Sequence, residues 1–204
     1  MSSRHLIIMR GLPGSGKTTW VEAFEKKWDE RWETPRETGS DSTPVLATIS
    51  ADEYWIRPDG KYDCNPELFG AAHAWCRSRV ENAMLPMLFD DDGDPEDPEN
   101  RLCEPCECII VDNTNTRKSH WMVYVNLAEK HGYEVSFQCM HGPEVTESQL
   151  ELFNERGVHG VPREQLSRMA EGYDALDTCY CATIPRSDCC TCGFLAEQEM
   201  TSDE

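Results

Sequence analysis

The stretch Leu6-Ile7-Ile8-Met9-Arg10-Gly11-Leu12-Pro13-Gly14-Ser15-Gly16-Lys17-Thr18-Thr19 decides the fold. The apolar run His5 to Arg10 reads as a buried strand, and from Lys17 the residues Trp20, Val21, Phe24 and Trp28 recur at helical spacing. Between strand and helix lies a complete Gly-x-x-x-x-Gly-Lys-Thr pattern, a Walker A loop. Its glycines let backbone N–H groups turn inward around an anion, and the helix that follows directs its positive end at the same point. The pattern implies a nucleoside triphosphate, held with magnesium by Gly11, Leu12, Pro13, Gly14, Ser15, Gly16, Lys17, Thr18 and Thr19. Lys17 suits the β- and γ-phosphates, and the Thr18 hydroxyl suits the metal.

Outward from this loop the chain alternates strands and helices. Thr34 to Pro44 reads as a surface connection and Val45 to Ile49 as a second strand. Leu68, Ala72, Trp75, Cys76, Val80, Ala83 and Met84 mark one face of a long helix with Pro66 in its first turn, and Pro86 stops it. Cys108 to Val111 is a third apolar run, and Trp121, Val125 and Ala128 mark the next helix, with Gly132 at its C-terminus. Tyr133 to Met140 is another strand, and Leu150 to Arg156 and Pro162 to Tyr173 read as two helices split by a glycine-containing break. This order predicts an α/β fold of the P-loop NTPase kind, a parallel sheet with helices on both faces. Residues 1–173 are expected to form the kinase-sized domain, with an acidic insertion at 90–105, and 174–204 an irregular cysteine-rich tail.

Two carboxylates follow apolar strands. Asp112, after Cys108-Ile109-Ile110-Val111, suits a magnesium ligand or active-site acid at the edge where the P-loop opens. The alternative for Asp112 is a cap preceding the next helix, a reading to which the run Asn113 to Asn115 adds weight. Asp52, in Ser50-Ala51-Asp52-Glu53-Tyr54, suits a general base for an incoming hydroxyl, or the cap of a short helix with Glu53 as a solvated neighbour. Arg156, beside the break between the last two helices, suits either a mobile phosphate-neutralising arginine or a plain surface residue.

The formal charge of -19 would repel a polyanion spread over the whole surface. Much of the acidic charge lies in the run Asp90 to Glu99 and beyond Glu171, which leaves room for a local basic site. The Asp90 to Asp94 run lacks a calcium loop's first ligand, since Leu88 stands at that position. No signal peptide or membrane-spanning stretch is visible, so a soluble intracellular protein, cytoplasmic or nuclear, is expected. The eleven cysteines are then expected as free thiols or, at Cys179, Cys181, Cys189 and Cys192, as a zinc site of irregular spacing. The acidic insertion and the tail offer surfaces for a protein partner of unspecified kind.

The blocks Arg10 to Thr18, Ser50 to Tyr54, Gly60-Lys61-Tyr62, Ala72 to Cys76, Val111 to Asn115 and Val158-His159-Gly160-Val161 resemble the bacteriophage-type polynucleotide 5′-hydroxyl kinases. They resemble more closely a eukaryotic branch of P-loop kinases known as AAA-type ATPase domains. The resemblance spans Leu6 to Tyr173. It implies a helical lid and an ATP-dependent kinase, with Lys17, Asp52, Asp112 and Arg156 as catalytic residues: Asp52 the general base and Arg156 the lid arginine. The arginine that clamps the acceptor phosphate in the phage-type enzymes is Trp55 here, with Arg57 nearby as a substitute, and Phe153 stands in for a second lid arginine. The acceptor is expected to be a nucleic-acid 5′ end, or a nucleoside or other small molecule. An ATP-hydrolysing switch and a non-catalytic ATP-binding adaptor are the competing readings. An AAA motor would need a further helical domain, and no Asn-Lys-x-Asp motif suggests a GTPase.

Overall fold

The computed structural model describes residues 4–32, 44–88, 102–158 and 160–176. The connection at 33–43, the acidic run at 90–99 and the tail cysteines Cys179, Cys181, Cys189 and Cys192 lie outside the described residues. Among the described residues the strands are β1 Arg4–Arg10, β2 Leu46–Ile49, β3 Met87–Leu88, β4 Leu102–Cys103, β5 Cys108–Val111 and β6 Tyr133–Cys139. The helices are α1 Lys17–Trp32, α2 Phe69–Ala83, α3 Lys118–His131, α4 Glu147–Arg156 and α5 Arg163–Glu171.

Four strands form a parallel sheet in the order β2-β5-β1-β6. The central strands β1 and β5 are apolar on both faces because both faces are covered. Leu6, Ile8, Ile109 and Val111 point to α2 and α3, where they meet Ala72, Cys76, Val80, Trp121, Tyr124 and Val125. Ile7, Met9, Cys108 and Ile110 point the other way, onto Trp20, Val21 and Phe24 of α1. Trp20, Phe24, Trp28 and Trp32 are spaced four apart and touch in sequence, with ring centroids 5.2, 6.2 and 5.8 Å apart. Cys106 and Cys108 pack against opposite faces and do not converge on a common point.

Three details differ from the sequence expectation. Pro66 opens a separate 3₁₀ turn, Pro66–Leu68, capped by Asn65, and α2 begins only at Phe69. The acidic insertion is anchored at its end, since Leu102–Cys103 pairs antiparallel with Met87–Leu88. Helix α4 begins at Glu147, where Thr146 and Gln149 form a reciprocal capping box that apolar spacing does not reveal.

The N-terminus of α3 is capped from far along the chain. Arg117, its own N-cap residue, makes no side-chain capping bond. Instead Asp174 Oδ2 accepts from the Lys118 N–H at 2.6 Å, and the Asp174 N–H donates to the Thr116 carbonyl at 2.8 Å. Arg10 completes the staple. Its guanidinium is 1% exposed and donates to the carbonyls of Asn115, Thr116 and Asp174, with Tyr173 stacked 4.6 Å from its Cζ. Leu176 packs on the larger core beyond it. Asp174→Ala is expected to lower stability by about 1 kcal/mol, the usual worth of a helix N-cap, and Asp174→Asn to restore most of it. Urea unfolding checks this through a lowered midpoint at constant slope.

Candidate functional site

The loop 11–16 leaves β1 at the C-terminal edge of the sheet and enters α1. Gly14 and Gly16 have φ of 77° and 95°, left-handed values that a side chain resists. At Gly14 a Cβ would also lie 2.0 Å from the Phe153 carbonyl oxygen, so α4 packs directly on the loop's backbone. The Gly11 N–H donates to the Thr114 carbonyl at 3.0 Å, which ties the loop to the segment after β5. The Leu12 side chain is fully buried among Leu150, Phe153 and Leu166, so helices α4 and α5 form a cover seated on the loop.

Lys17 lies half-buried and folds back onto this loop, its Nζ donating to the carbonyls of Gly11 and Leu12 at 3.2 and 3.1 Å. Burial pulls its pKa below the ordinary lysine range, while the carboxylates of Asp112 and Asp52 push it back up. Asp112 shows the mirror image: burial raises its pKa, Lys17 lowers it, and Asp52 and Glu25 raise it further. Asp52, Asp112 and Lys17 therefore share one electrostatic site. Two polar atoms there are buried without a hydrogen-bond partner, Asp112 Oδ1 and Ser15 Oγ. An orphaned Asp112 carboxylate oxygen and an exposed Thr18 hydroxyl are of the hard-oxygen kind that magnesium takes with phosphate. Among the described residues no group of three or more His, Cys, Asp or Glu side chains is placed to hold a metal.

The capping alternatives raised by the sequence are taken by other residues. Ser50 caps the 3₁₀ turn Ala51–Trp55, accepting from the Asp52 N–H, and Glu53 reaches back to the Ser50 N–H at 2.8 Å. Glu53 is also paired with Arg79 at 2.8 Å, so it is a structural acid and not a solvated neighbour. Asp52 Oδ1 accepts from the Tyr62 hydroxyl at 3.4 Å. Asn113 and Asn115 do not cap α3. Asn113 Oδ1 accepts from the Ala51 N–H and its amide donates to Cys76 and Tyr124, while Asn115 donates to the Met9 carbonyl at 2.9 Å with φ of 43°.

Arg156 is exposed in the last turn of α4, three residues beyond Phe153. Phe153 and Trp55 are buried core residues, and Arg57 is ion-paired with Asp63 at 3.0 Å. Thr19 is exposed on the first turn of α1. Periodicity gave no warning of His141. Its Nε2 accepts from the Leu12 N–H at 2.9 Å and its Nδ1 donates to the Gly142 carbonyl at 2.7 Å, between the rings of Phe153 and Tyr173. Its place just past β6, at the same sheet edge as Asp52 and Asp112, was the available clue.

No family model matches the chain. It is similar to NEDD4-binding protein 2 of Homo sapiens, 28% identical over 169 residues that cover 82% of this chain and 8% of that protein. It is also similar to YLP motif-containing protein 1 of Rattus norvegicus, 24% identical over 181 residues, 84% of this chain and 11% of that one. The chain thus spans about a tenth of the length of these relatives. Among solved structures, Kti12 of Chaetomium thermophilum in complex with ADP-AlF3 superposes with TM-score 0.53 and 19% identity over 83% of this chain and 80% of that one. A putative kinase of Chloroflexus aurantiacus gives 0.53 and 15% over 98% of each chain. The APS kinase CysC of Mycobacterium tuberculosis, in complex with AMPPNP and APS, gives 0.50 and 11% over 87% and 86%.

The fold is that of the P-loop NTPases. Within it, His141 holds one N–H of the P-loop as an acceptor, which requires its neutral form. Burial, Lys17 and Arg10 lower its pKa below the ordinary histidine value, against the bond to Gly142. The bond is therefore intact near neutrality and is lost as pH falls through the depressed pKa, where Nε2–H would face another donor. His141→Phe keeps the ring stack but orphans the Leu12 N–H. Nucleotide affinity is expected to fall roughly tenfold at pH 7, the low end of the cost of an unsatisfied buried donor. Titrations across the acid range should show wild type converging on the variant as pH drops.

Proposed function

We propose that the chain is an ATP-dependent kinase that transfers the γ-phosphoryl group to a hydroxyl acceptor, in the manner of the polynucleotide 5′-kinases. The observation that carries this reading is the electrostatic coupling of Asp52 to Lys17 and Asp112 at the mouth of the P-loop, in a turn whose cap is supplied by Ser50 and Glu53. A nucleotide switch needs no such second carboxylate facing an incoming group. The bound ADP-AlF3 and AMPPNP of the structural neighbours support nucleotide in this loop. Trp55 and Phe153, which stand where the phage-type enzymes carry arginines, are both buried, and each fills a core position.

In this reading the acceptor hydroxyl gives its proton to Asp52 as its oxygen bonds to the γ-phosphorus. The bond from that phosphorus to the bridging oxygen breaks, and ADP leaves with the electron pair. Lys17 leaves the loop carbonyls to reach the transferring phosphoryl group, and Arg156 swings from the end of α4 to neutralise its oxygens. Magnesium, held by Thr18 and Asp112, supplies charge neutralisation on the phosphates when bound.

Lys17→Ala is expected to abolish productive triphosphate binding with the unfolding midpoint near that of wild type, since the side chain points to the phosphate site and not the core. Equal ATP affinity in variant and parent, by titration, would count against the site. Asp52→Asn separates binding from chemistry. ATP affinity should stay near parental while single-turnover transfer to a 5′-hydroxyl oligonucleotide or nucleoside falls by roughly 10²–10⁴-fold, the usual contribution of a general base. A variant that transfers within about threefold of the parent, far short of that loss, removes Asp52 from this role.

A further inference from the structure

We propose that Tyr62 is a positioning residue for phosphoryl transfer: its hydroxyl holds one oxygen of the Asp52 carboxylate and so aims the other at the proton of the acceptor hydroxyl. The inference rests on the kinase reading for the role of Asp52 and goes beyond it in assigning the group that orients that residue.

The backbone around Asp52 is already fixed. Ser50 accepts from the Asp52 N–H at 3.2 Å, Glu53 reaches back to the Ser50 N–H at 2.8 Å, and Asn113 Oδ1 accepts from the Ala51 N–H at 2.9 Å. Trp55, buried at the end of the same turn, anchors it in the core. What this bracing leaves open is the plane of the carboxylate, because the last torsion of an aspartate is a broad sp³–sp² rotation with no sharp preference of its own. A proton acceptor whose plane wanders meets an incoming hydroxyl productively in only some of its orientations. A bond to the carboxylate itself removes that freedom, and Tyr62 Oη donates to Asp52 Oδ1 at 3.4 Å. The bond is loose, of the kind that tightens around a catalytic group in the reacting complex.

A short hairpin carries the phenol back to the turn. The Asp63 N–H donates to the Trp55 carbonyl at 2.9 Å, Ile56 and Tyr62 form an antiparallel bridge, the Arg57 N–H donates to the Lys61 carbonyl at 2.9 Å, and the Gly60 N–H donates to the Arg57 carbonyl at 2.8 Å. Gly60 turns the chain with φ of 79°, and Arg57 and Asp63 join the two arms as an ion pair at 3.0 Å. Arg57 is thus a brace of the hairpin that brings the Tyr62 hydroxyl to Asp52.

The chemistry of the phenol suits an orienting donor and not a base. Partial burial, then Asp52 and then Cys64 hold its pKa above the ordinary tyrosine range, so the hydroxyl stays protonated and donates to the carboxylate. Its own proton remains on Oη while the proton of the acceptor passes to Asp52 Oδ2. The ring is 41% exposed and stands outside the buried core, so the hydroxyl can be removed at little cost to the fold. Without it Asp52 keeps its place and loses its aim, which slows transfer without weakening the binding of either substrate.

The test is a cycle of Tyr62→Phe, Asp52→Asn and the double variant, read by single-turnover transfer from ATP and magnesium to a single-stranded 5′-hydroxyl oligonucleotide and to a nucleoside. Tyr62→Phe should slow transfer roughly tenfold, the low end for a hydrogen bond to a charged group, with ATP affinity and acceptor KM near wild type. In the Asp52→Asn background the same change should cost nothing further, since a residue that acts through the base has nothing left to orient. Tyr54→Phe, which removes a hydroxyl from a neighbouring exposed ring, should leave the rate unchanged. A Tyr62→Phe rate within about twofold of wild type, well short of that loss, overturns the assignment. So does a full further loss on top of Asp52→Asn, an equal loss in Tyr54→Phe, or a loss confined to acceptor KM. The contact is also read without turnover, in the urea midpoints of Tyr62→Phe, Asp52→Ala and their double variant: non-additive shifts support the bond, and additive ones overturn it. If wild type phosphorylates neither probe, the kinase reading falls, and these midpoints alone decide whether Tyr62 holds Asp52.

Discussion

The register in which β1 hydrogen-bonds to β5 on one side and to β6 on the other governs the rest of the molecule. Because β2, β5, β1 and β6 all run parallel, their C-terminal ends emerge at one edge. The P-loop, Asp52, Asp112 and His141 each follow a strand in that set, so all four arrive at that edge without any long-range search. A shift of β1 by one residue would turn Leu6 and Ile8 onto α1 and carry the glycine loop out of line with Thr114. The apolar alternation that fixes the register therefore also fixes the distances on which the chemistry depends.

Much of this was legible in the sequence because it rests on local pattern. The apolar runs at Leu6 to Met9 and Cys108 to Val111 specify buried strands, and the Walker loop has only one structural context. What stayed hidden is carried by contacts between residues far apart. No periodicity announces that Asp174 caps α3, that Arg10 staples two loops, or that His141 holds the Leu12 N–H. The capping alternatives at Asp52 and Asp112 were open for a related reason. Several oxygen-bearing side chains stood at each strand end, and only the three-dimensional pairing of Ser50 with Glu53, and of Asn113 with Ala51, shows which perform structural work.

Charge is distributed with the same economy. Near the sheet edge most ionisable groups have partners that hold the fold, such as Glu53 with Arg79. At the mouth of the P-loop, Asp112 Oδ1 and Ser15 Oγ are buried without a hydrogen-bond partner.

The close seating of α4 on the P-loop has a mechanical consequence. With Leu12 plugged among Leu150, Phe153 and Leu166, and the Phe153 carbonyl resting over Gly14, the cover cannot lift as a free flap. Raising it draws an apolar plug out of its socket and strips contact from the P-loop itself. In the kinase we propose, gripping and uncovering would thus become one concerted displacement, and the departure of spent nucleotide would be geared to the stroke that admits the next.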